Sequence, residues 1–411
     1  MKKLLTLVLS LLMAVTCFGL TACNKNKNES EKTEDKDPVV GLICLHGESS
    51  TYDKNFIDAF KTACANKNVG YKIVVDIAES QACFDAAEEL IEEGCKVLFA
   101  DSFGHEQFMM AAAEEHPEVE FCHATGTQAK QSDLANYHNA FASIYEGRYL
   151  AGYAAGLKLL TMPEKAVNNN FKVGYVGAFT YAEVISGYTS WFLGVQAALE
   201  GSEYTATMEV TFTGSWYDEA GEKTAAETLI SRGCVLVSQH ADSMGAPTAC
   251  DNANVPNVAY NGSTGKNTMV AYSRINWVPY FEHMIDKYVN HTIADDYCGT
   301  LENGAVEYFV EGPNAAPGTK AAVDAIKAEL LAGTRRVFDC SKFTVEGVHL
   351  DSYLADVDGD ADMVHEINVI KTDANGVVYF DESNADEFRS APYFDISAID
   401  GITLLNTNFG E

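Results

Sequence analysis

From Pro38 onward the chain alternates short β-rich runs with helical segments, and it does so twice in succession. Residues 39–45 read as a strand, 53–67 as an amphipathic helix, 71–77 as a strand and 83–93 as a helix ended by Gly94. A third strand follows at 97–100, a helix at 106–115 that stops before Pro117, and a fourth strand at 120–123. The alternation restarts with a helix over 145–160 and runs through strands at 172–176, 205–211, 235–239 and 258–260, separated by helices at 184–199 and 219–231. Strands joined through helices pair in parallel, because a crossover of that length is what parallel neighbours need, and the helices then cover both faces of the sheet. Two such runs of similar size predict an α/β protein of two lobes with a cleft between them. In open sheets of this kind ligands bind outside the carboxyl ends of the strands.

The pattern divides the chain into a first lobe over 38–137 with a return at about 269–333, and a second lobe over 138–268. The return holds a strand at 269–273 and helices at 280–291 and 319–332. Residues 334–411 are acidic and hairpin-like, with Asp373-Ala374-Asn375-Gly376 as a turn between β-rich runs, and are expected to pack on the lobes.

Ahead of the body stand Lys2 and Lys3, an apolar run over 4–18 too short to span a bilayer, and Leu20-Thr21-Ala22-Cys23. That order is a lipoprotein signal. It predicts removal of residues 1–22 and lipidation of Cys23, with 23–37 as a polar tether holding the body on the extracytoplasmic face of the cell membrane. Two or more acyl chains on one cysteine give a stable anchor, where one chain gives a marginal one.

A net charge of −31 over 411 residues repels phosphate backbones and anionic lipid, which excludes nucleic acid as a partner and favours a neutral or cationic small ligand. Once Cys17 leaves with the signal and Cys23 takes lipid, nine cysteines remain, an odd number that cannot all pair. They contain no Cys-x-x-Cys and no nearby histidine pair, which argues against zinc, and most are expected as small buried hydrophobes. The acidic run Asp356, Asp358, Asp360, Asp362 has its glycine misplaced for a calcium-binding EF-hand loop and reads as a solvated loop. No metal or cofactor is predicted. No phosphate-binding Walker loop, Gly-x-Ser-x-Gly elbow or His-Glu-x-x-His is present, so the chain is not expected to be an enzyme.

The strand ends carry the chemistry. They run into His46 through Asp53, Asp101-Ser102-Phe103-Gly104-His105, Thr213 through Asp218, His240-Ala241-Asp242-Ser243 and Asn261-Gly262-Ser263-Thr264. Rings on opposite walls of a cleft can sandwich a flat ligand, and Tyr52, Phe103 and Trp216 are the candidates. Asp242, Asn261 and Ser102 are placed to read donors and acceptors at its edge. Any one of these rings could equally pack a loop on a helix. His240 reads as a structural histidine, and Asp53 and Asp218 as helix caps.

From about Val39 to Ile285 the chain resembles the basic membrane protein family of substrate-binding lipoproteins. The resemblance is carried by Ala124-Thr125-Gly126-Thr127, Tyr145-Glu146-Gly147-Arg148, Val173-Gly174-Tyr175-Val176-Gly177, Ser215-Trp216-Tyr217-Asp218, Gln239-His240-Ala241-Asp242-Ser243 and Asn276-Trp277-Val278-Pro279-Tyr280. It implies a type I periplasmic-binding-protein fold of two Rossmann-like lobes, a purine nucleobase or nucleoside as ligand, and an ABC transporter permease as partner. Trp216, the 240–243 stretch and Trp277 look closer to members associated with adenine-like bases. Where the nucleoside branch carries Asp-x-Ser-Phe-Asn, this chain has Tyr52-Asp53-Lys54-Asn55-Phe56, without the serine that ribose recognition would lead one to expect. Two rivals remain at this point: a sugar receptor on the same fold, and an extracellular nucleosidase using Asp242 or Glu48 as base.

Overall fold

The computed structural model describes residues 30–32, 39–292, 295–357, 367–382 and 389–407. The signal peptide, Cys23, most of the tether, and Asp358, Asp360 and Asp362 of the acidic run lie outside the described residues.

The strands are Ser30–Lys32 (β1), Val40–Ile43 (β2), Tyr71–Val74 (β3), Val97–Ala100 (β4), Glu120–Ala124 (β5) and Tyr137–Ala142 (β6). They continue with Asn170–Gly177 (β7), Thr205–Phe212 (β8), Val237–His240 (β9), Asn257–Tyr260 (β10), Met269–Ile275 (β11), Tyr297–Gly299 (β12) and Val306–Phe309 (β13). The first sheet has the order β1-β3-β2-β4-β5-β6-β12, and the second runs β13-β11-β10-β9-β7-β8 and closes with Ile402–Leu404. All pairings are parallel except those of the edge strands β1 and β13. β2 and β4 are buried along their whole length, as central parallel strands covered on both faces must be, and this is why they are continuous apolar runs.

Local chemistry sets the helix ends. The Thr51–Lys67 helix begins at Ser50, whose hydroxyl oxygen accepts from Asp53 N while Ser50 Oγ donates to the Asp53 carboxylate, and it ends on Asn68 in a left-handed turn (φ 57°). In the second lobe the Ile144–Leu160 and Ala182–Leu199 helices touch backbone to backbone. A Cβ at Gly152 would lie 1.9 Å from Trp191 O, and one at Gly194 2.1 Å from Tyr149 O, so only glycine lets these helices meet.

The lobe boundaries differ from the expected ones. Residues 137–142 belong to the first sheet as β6, while 269–275 pair in parallel with β10 and stay in the second sheet, as does β13. The polypeptide therefore crosses between sheets after β6, after β11 and between β12 and β13. The crossings are stitched together by Ser143 N to Gly299 O (2.7 Å), Asn276 N to Ala305 O (2.6 Å) and Leu301 N to Glu146 Oε2 (2.8 Å). The polar tether is also not uniform: its Ser30–Lys32 adds an antiparallel edge strand to β3.

After residue 334 the chain packs mainly on the second lobe. Ile370–Thr372 and Val378–Phe380 form a hairpin around the Asp373–Gly376 turn, whose Asp373 Oδ1 accepts from Asn375 N and Val377 N. Glu382 is buried and accepts from Ser186 Oγ (2.6 Å), Tyr393 N (2.9 Å) and Phe394 N (2.7 Å). All nine body cysteines are free thiols, eight buried and Cys298 half-buried.

Burial pushes the Glu382 carboxyl, and likewise that of Glu222, up from the ordinary 4.5 to about 7. Between those two pH values the folded chain holds protons that the unfolded chain has released, so stability falls as pH rises through the window. We expect the melting temperature to be lower at pH 8 than at pH 5.5, and Glu382→Gln to reduce that difference. A melting temperature that rises over this range would contradict the assignment.

Candidate functional site

The carboxyl ends of the two sheets face one cavity, lined by Leu45, Tyr52, Asp53, Ser102, Phe103, Thr125, Glu183, Trp216, His240, Asp242 and Tyr260. The first sheet contributes through the turns after β2, β4 and β5. The second contributes through the Ala182–Leu199 helix start, the loop after β8 and the ends of β9 and β10. In both sheets the central pair, β2 with β4 and β7 with β9, marks where the strand order reverses, which is where the loops splay and leave room for a ligand.

The two walls touch at the cavity's edge. Thr51 N and Thr51 Oγ1 donate to Asp242 O (2.9 and 3.2 Å), and Asp242 N donates to Trp216 O (2.9 Å). Phe103 of the first lobe meets Tyr181 of the second at 4.8 Å between centroids, and Tyr181 meets Trp216 at 5.9 Å, so a chain of rings crosses the cleft. Tyr52 donates its hydroxyl to Asp101 O (2.7 Å), which presents its ring rather than its polar end to the cavity. Ser102 Oγ donates to Glu79 Oε1 (2.7 Å) and is left able only to accept.

Among the lining residues are three carboxyl groups and no lysine or arginine. Burial, then the neighbouring Asp53, Glu222 and Glu183, holds the Asp242 carboxyl well above the usual carboxylate range. Burial pulls the His240 imidazole below its usual range, and His240 Nε2 lies 3.3 Å from Glu183 Oε1 with its ring 4.4 Å from that of Tyr260. Behind Tyr260 the fully buried Arg148 places its guanidinium 4.9 Å from the ring centroid and donates to Ala259 O (3.4 Å), Gln239 O (3.1 Å), Ser238 Oγ (3.3 Å) and the Tyr175 hydroxyl.

Among the described residues one cluster brings metal-ligand atom types together: Cys44, Asp53 and Asp101, within 4.8 Å of one another. Burial raises both the Cys44 thiol and the Asp101 carboxyl, and Asp53 accepts from Ser50 Oγ and from His46 N (2.7 Å). Burial thus disfavours the charged forms of Cys44 and Asp101 that a metal ion would need.

Five of the six residues singled out from the sequence, Tyr52, Ser102, Phe103, Trp216 and Asp242, line this cavity together. Asn261 does not. The backbone turns left-handed there (φ 62°), Asn261 N donates to Ser273 O (2.9 Å), and the preceding Tyr260 takes the place on the wall. Glu48 is also outside the lining, paired with Lys54 and Lys61. Asp218 caps the Glu219–Ser231 helix as expected, whereas His240 and Asp53, read from the sequence as structural, line the cavity. Glu183 also lines the cavity, although a glutamate in a helix's first turn carries in the sequence only the signature of ordinary dipole compensation.

Two parallel sheets with rings and acids converging on one cleft make a site that can hold a small solute between two lobes. The family model described as ABC transporter substrate-binding protein, PnrA-like (Bmp), matches residues 47–314, and the chain belongs to that family. The Haloferax volcanii protein TsgA13, whose name describes a glucose-binding protein of an ABC transporter, is 28% identical over 299 residues, 71% of each chain. A purine-binding protein of Brucella abortus is 32% identical over 171 residues, 42% of this chain and 44% of that one. Among solved structures, a solute-binding protein of an ABC transporter system from Aeropyrum pernix K1 has the same fold, with a TM-score of 0.62 at 14% identity over 73% of this chain and 93% of that one. No helix among the described residues is long and apolar enough to cross a membrane.

Arg148 supports the cavity's back wall by donating to several buried acceptors, and a buried polar group that loses its partner costs about 1 to 3 kcal/mol. We expect Arg148→Ala to lower stability by roughly 2 kcal/mol or more in urea unfolding. Arg148→Lys should restore little of it, because one ammonium cannot reproduce the planar fork.

Proposed function

We propose that this chain is an extracytoplasmic receptor, anchored by lipid on Cys23, that captures a purine nucleobase or nucleoside and delivers it to an ABC transporter permease. The observation that carries the purine reading is the pairing, in one cavity, of rings from both lobes with Asp53, Glu183 and Asp242 and no cationic side chain. Rings facing across a cleft suit a flat heterocycle. Acceptors without cations disfavour anionic ligands and favour one whose edge carries N–H donors. Tyr52, Phe103 and Trp216 then stack, and Asp242 and Ser102 read the edge; Tyr260 replaces Asn261 in that set.

A sugar receptor is the second reading, favoured by the longer match to a relative named for glucose binding. A thermal-shift screen separates the two, since a ligand that binds only the folded state raises the midpoint in proportion to RT ln(1 + [L]/Kd). Purine bases are expected to raise it, and hexoses and pentoses to leave it unchanged; a shift by sugars alone would reject the purine reading. With a binding purine, Trp216→Ala is expected to cost about 1 to 3 kcal/mol of affinity while the fold persists. Unchanged affinity would make the tryptophan a packing residue. Cys23→Ser is expected to move the protein from the membrane fraction to the soluble one.

A further inference from the structure

Thr125 follows the last residue of β5 and is buried against the cavity with a backbone φ of 65°. The left-handed region is open to glycine and tolerated by asparagine, but it crowds a β-branched side chain, which occupies it only where the surroundings over-determine it.

The surroundings here do so from the side away from the cavity. Glu106, itself buried, accepts from Thr127 N (2.9 Å to Oε1, 3.1 Å to Oε2), Gln128 N (3.0 Å), the Tyr137 hydroxyl (3.2 Å) and Asn139 Nδ2 (3.2 Å). Asn139 Oδ1 accepts from Ala129 N (2.9 Å). The loop is drawn down so far that a Cβ on Gly126 would fall 2.1 Å from Asn139 Nδ2, 2.4 Å from Glu106 Oε1 and 2.5 Å from His123 Nδ1. Glycine at 126 is explained by this lack of space. Threonine at 125 is not explained by backbone needs, since its neighbour shows that glycine is available to the loop and would carry no strain.

What threonine adds is a side chain in the cavity. Its hydroxyl hydrogen is given to Ala124 O, so Thr125 presents an acceptor oxygen and a methyl group beside the acids of the same cavity. We propose that Thr125 is a specificity-determining residue, aimed at the ligand by a strained backbone, and that Glu106 is the positioning residue that holds the strain. This rests on the reading of the cavity as the ligand site. It adds that the residues most responsible for selectivity include one that the free protein would be more stable without.

The test uses Thr125→Asn, Thr125→Gly, Glu106→Gln and the Thr125→Gly/Glu106→Gln double variant of the full chain. The ligand-free melting temperature of Thr125→Asn is expected to rise by about 2 to 4 °C, because asparagine relieves the crowding. Affinity is read by titration calorimetry with adenine, or with whichever purine or sugar shifts the wild type in the screen above. Thr125→Gly is expected to weaken binding about tenfold or more, roughly the loss of one buried hydrogen bond. Glu106→Gln, which turns an NH₂ toward backbone N–H donors, should weaken it similarly, with the double variant no weaker than the worse single one, since both remove the same presentation of Thr125. The proposal is overturned if Thr125→Asn lowers the melting temperature, if Thr125→Gly leaves affinity within threefold of wild type, or if the two losses multiply. Should Glu106→Gln fail to fold, the two Thr125 variants decide alone. The melting arm needs no ligand, so a wild type that ignores every purine defeats the purine reading without touching this one.

Discussion

Parallel pairing is the constraint on which the rest of this molecule depends. In a parallel sheet every strand ends on the same edge, so every βα turn falls on that edge, and here two such edges face each other across one cavity. Residues as far apart in sequence as Tyr52 and Tyr260 become neighbours because their strands share a direction. The ion pair between lining residues, His240 with Glu183, lies within the second lobe and does not join the two walls. The crossings between the lobes are stitched by two backbone bonds and by Leu301 N donating to Glu146.

The cavity's electrostatics follow from the same geometry. Carboxyl groups at strand ends and helix starts are ordinary, but the parallel edges gather Asp53, Glu183 and Asp242, all buried, around one cavity. Burial pushes Asp242 toward its protonated form and His240 toward its neutral one. A carboxyl held toward its protonated form, as Asp242 is, can both donate and accept. Buried polar groups of this kind are costly when empty, which ties the stability of the two facing walls to whatever fills them.

Much of this was legible in the sequence, and the reasons are physical. Alternating strand and helix patterns gave the two lobes, and the strand-end rule placed Tyr52, Ser102, Phe103, Trp216 and Asp242 on one wall or the other. What escaped had no periodic signature. Residues 137–142 are a buried central strand without alternation, and 269–275 could have returned to either sheet until its register with β10 was known. Asn261 and Tyr260 differ by one residue at a left-handed turn, a detail of φ that composition does not encode. His240 looks like any buried histidine until Glu183, 57 residues earlier, is seen beside it. The Ser30–Lys32 strand hides in a polar tether because an edge strand needs backbone partners rather than apolar side chains.

The segment after residue 334 lies beyond the stretch matched by the family model, yet it reaches the site. Ile402–Leu404 extends the second sheet beside β8, and just past it Asn406 grips the backbone of Phe212 on both sides, accepting from Phe212 N (2.8 Å) and donating to Phe212 O (2.9 Å). Phe212 is the last residue of β8, at the root of the loop that carries Trp216. A side-chain amide that mimics the next strand in this way terminates β8 at a fixed point and satisfies a backbone pair that would otherwise be open. By contrast, Ser390 Oγ to Asn139 O (3.0 Å) joins the segment to the last central strand of the first lobe, one turn from a crossing. The added chain therefore braces the wall that holds Trp216 with a strand and an amide, and touches the other lobe near the crossing that follows β6.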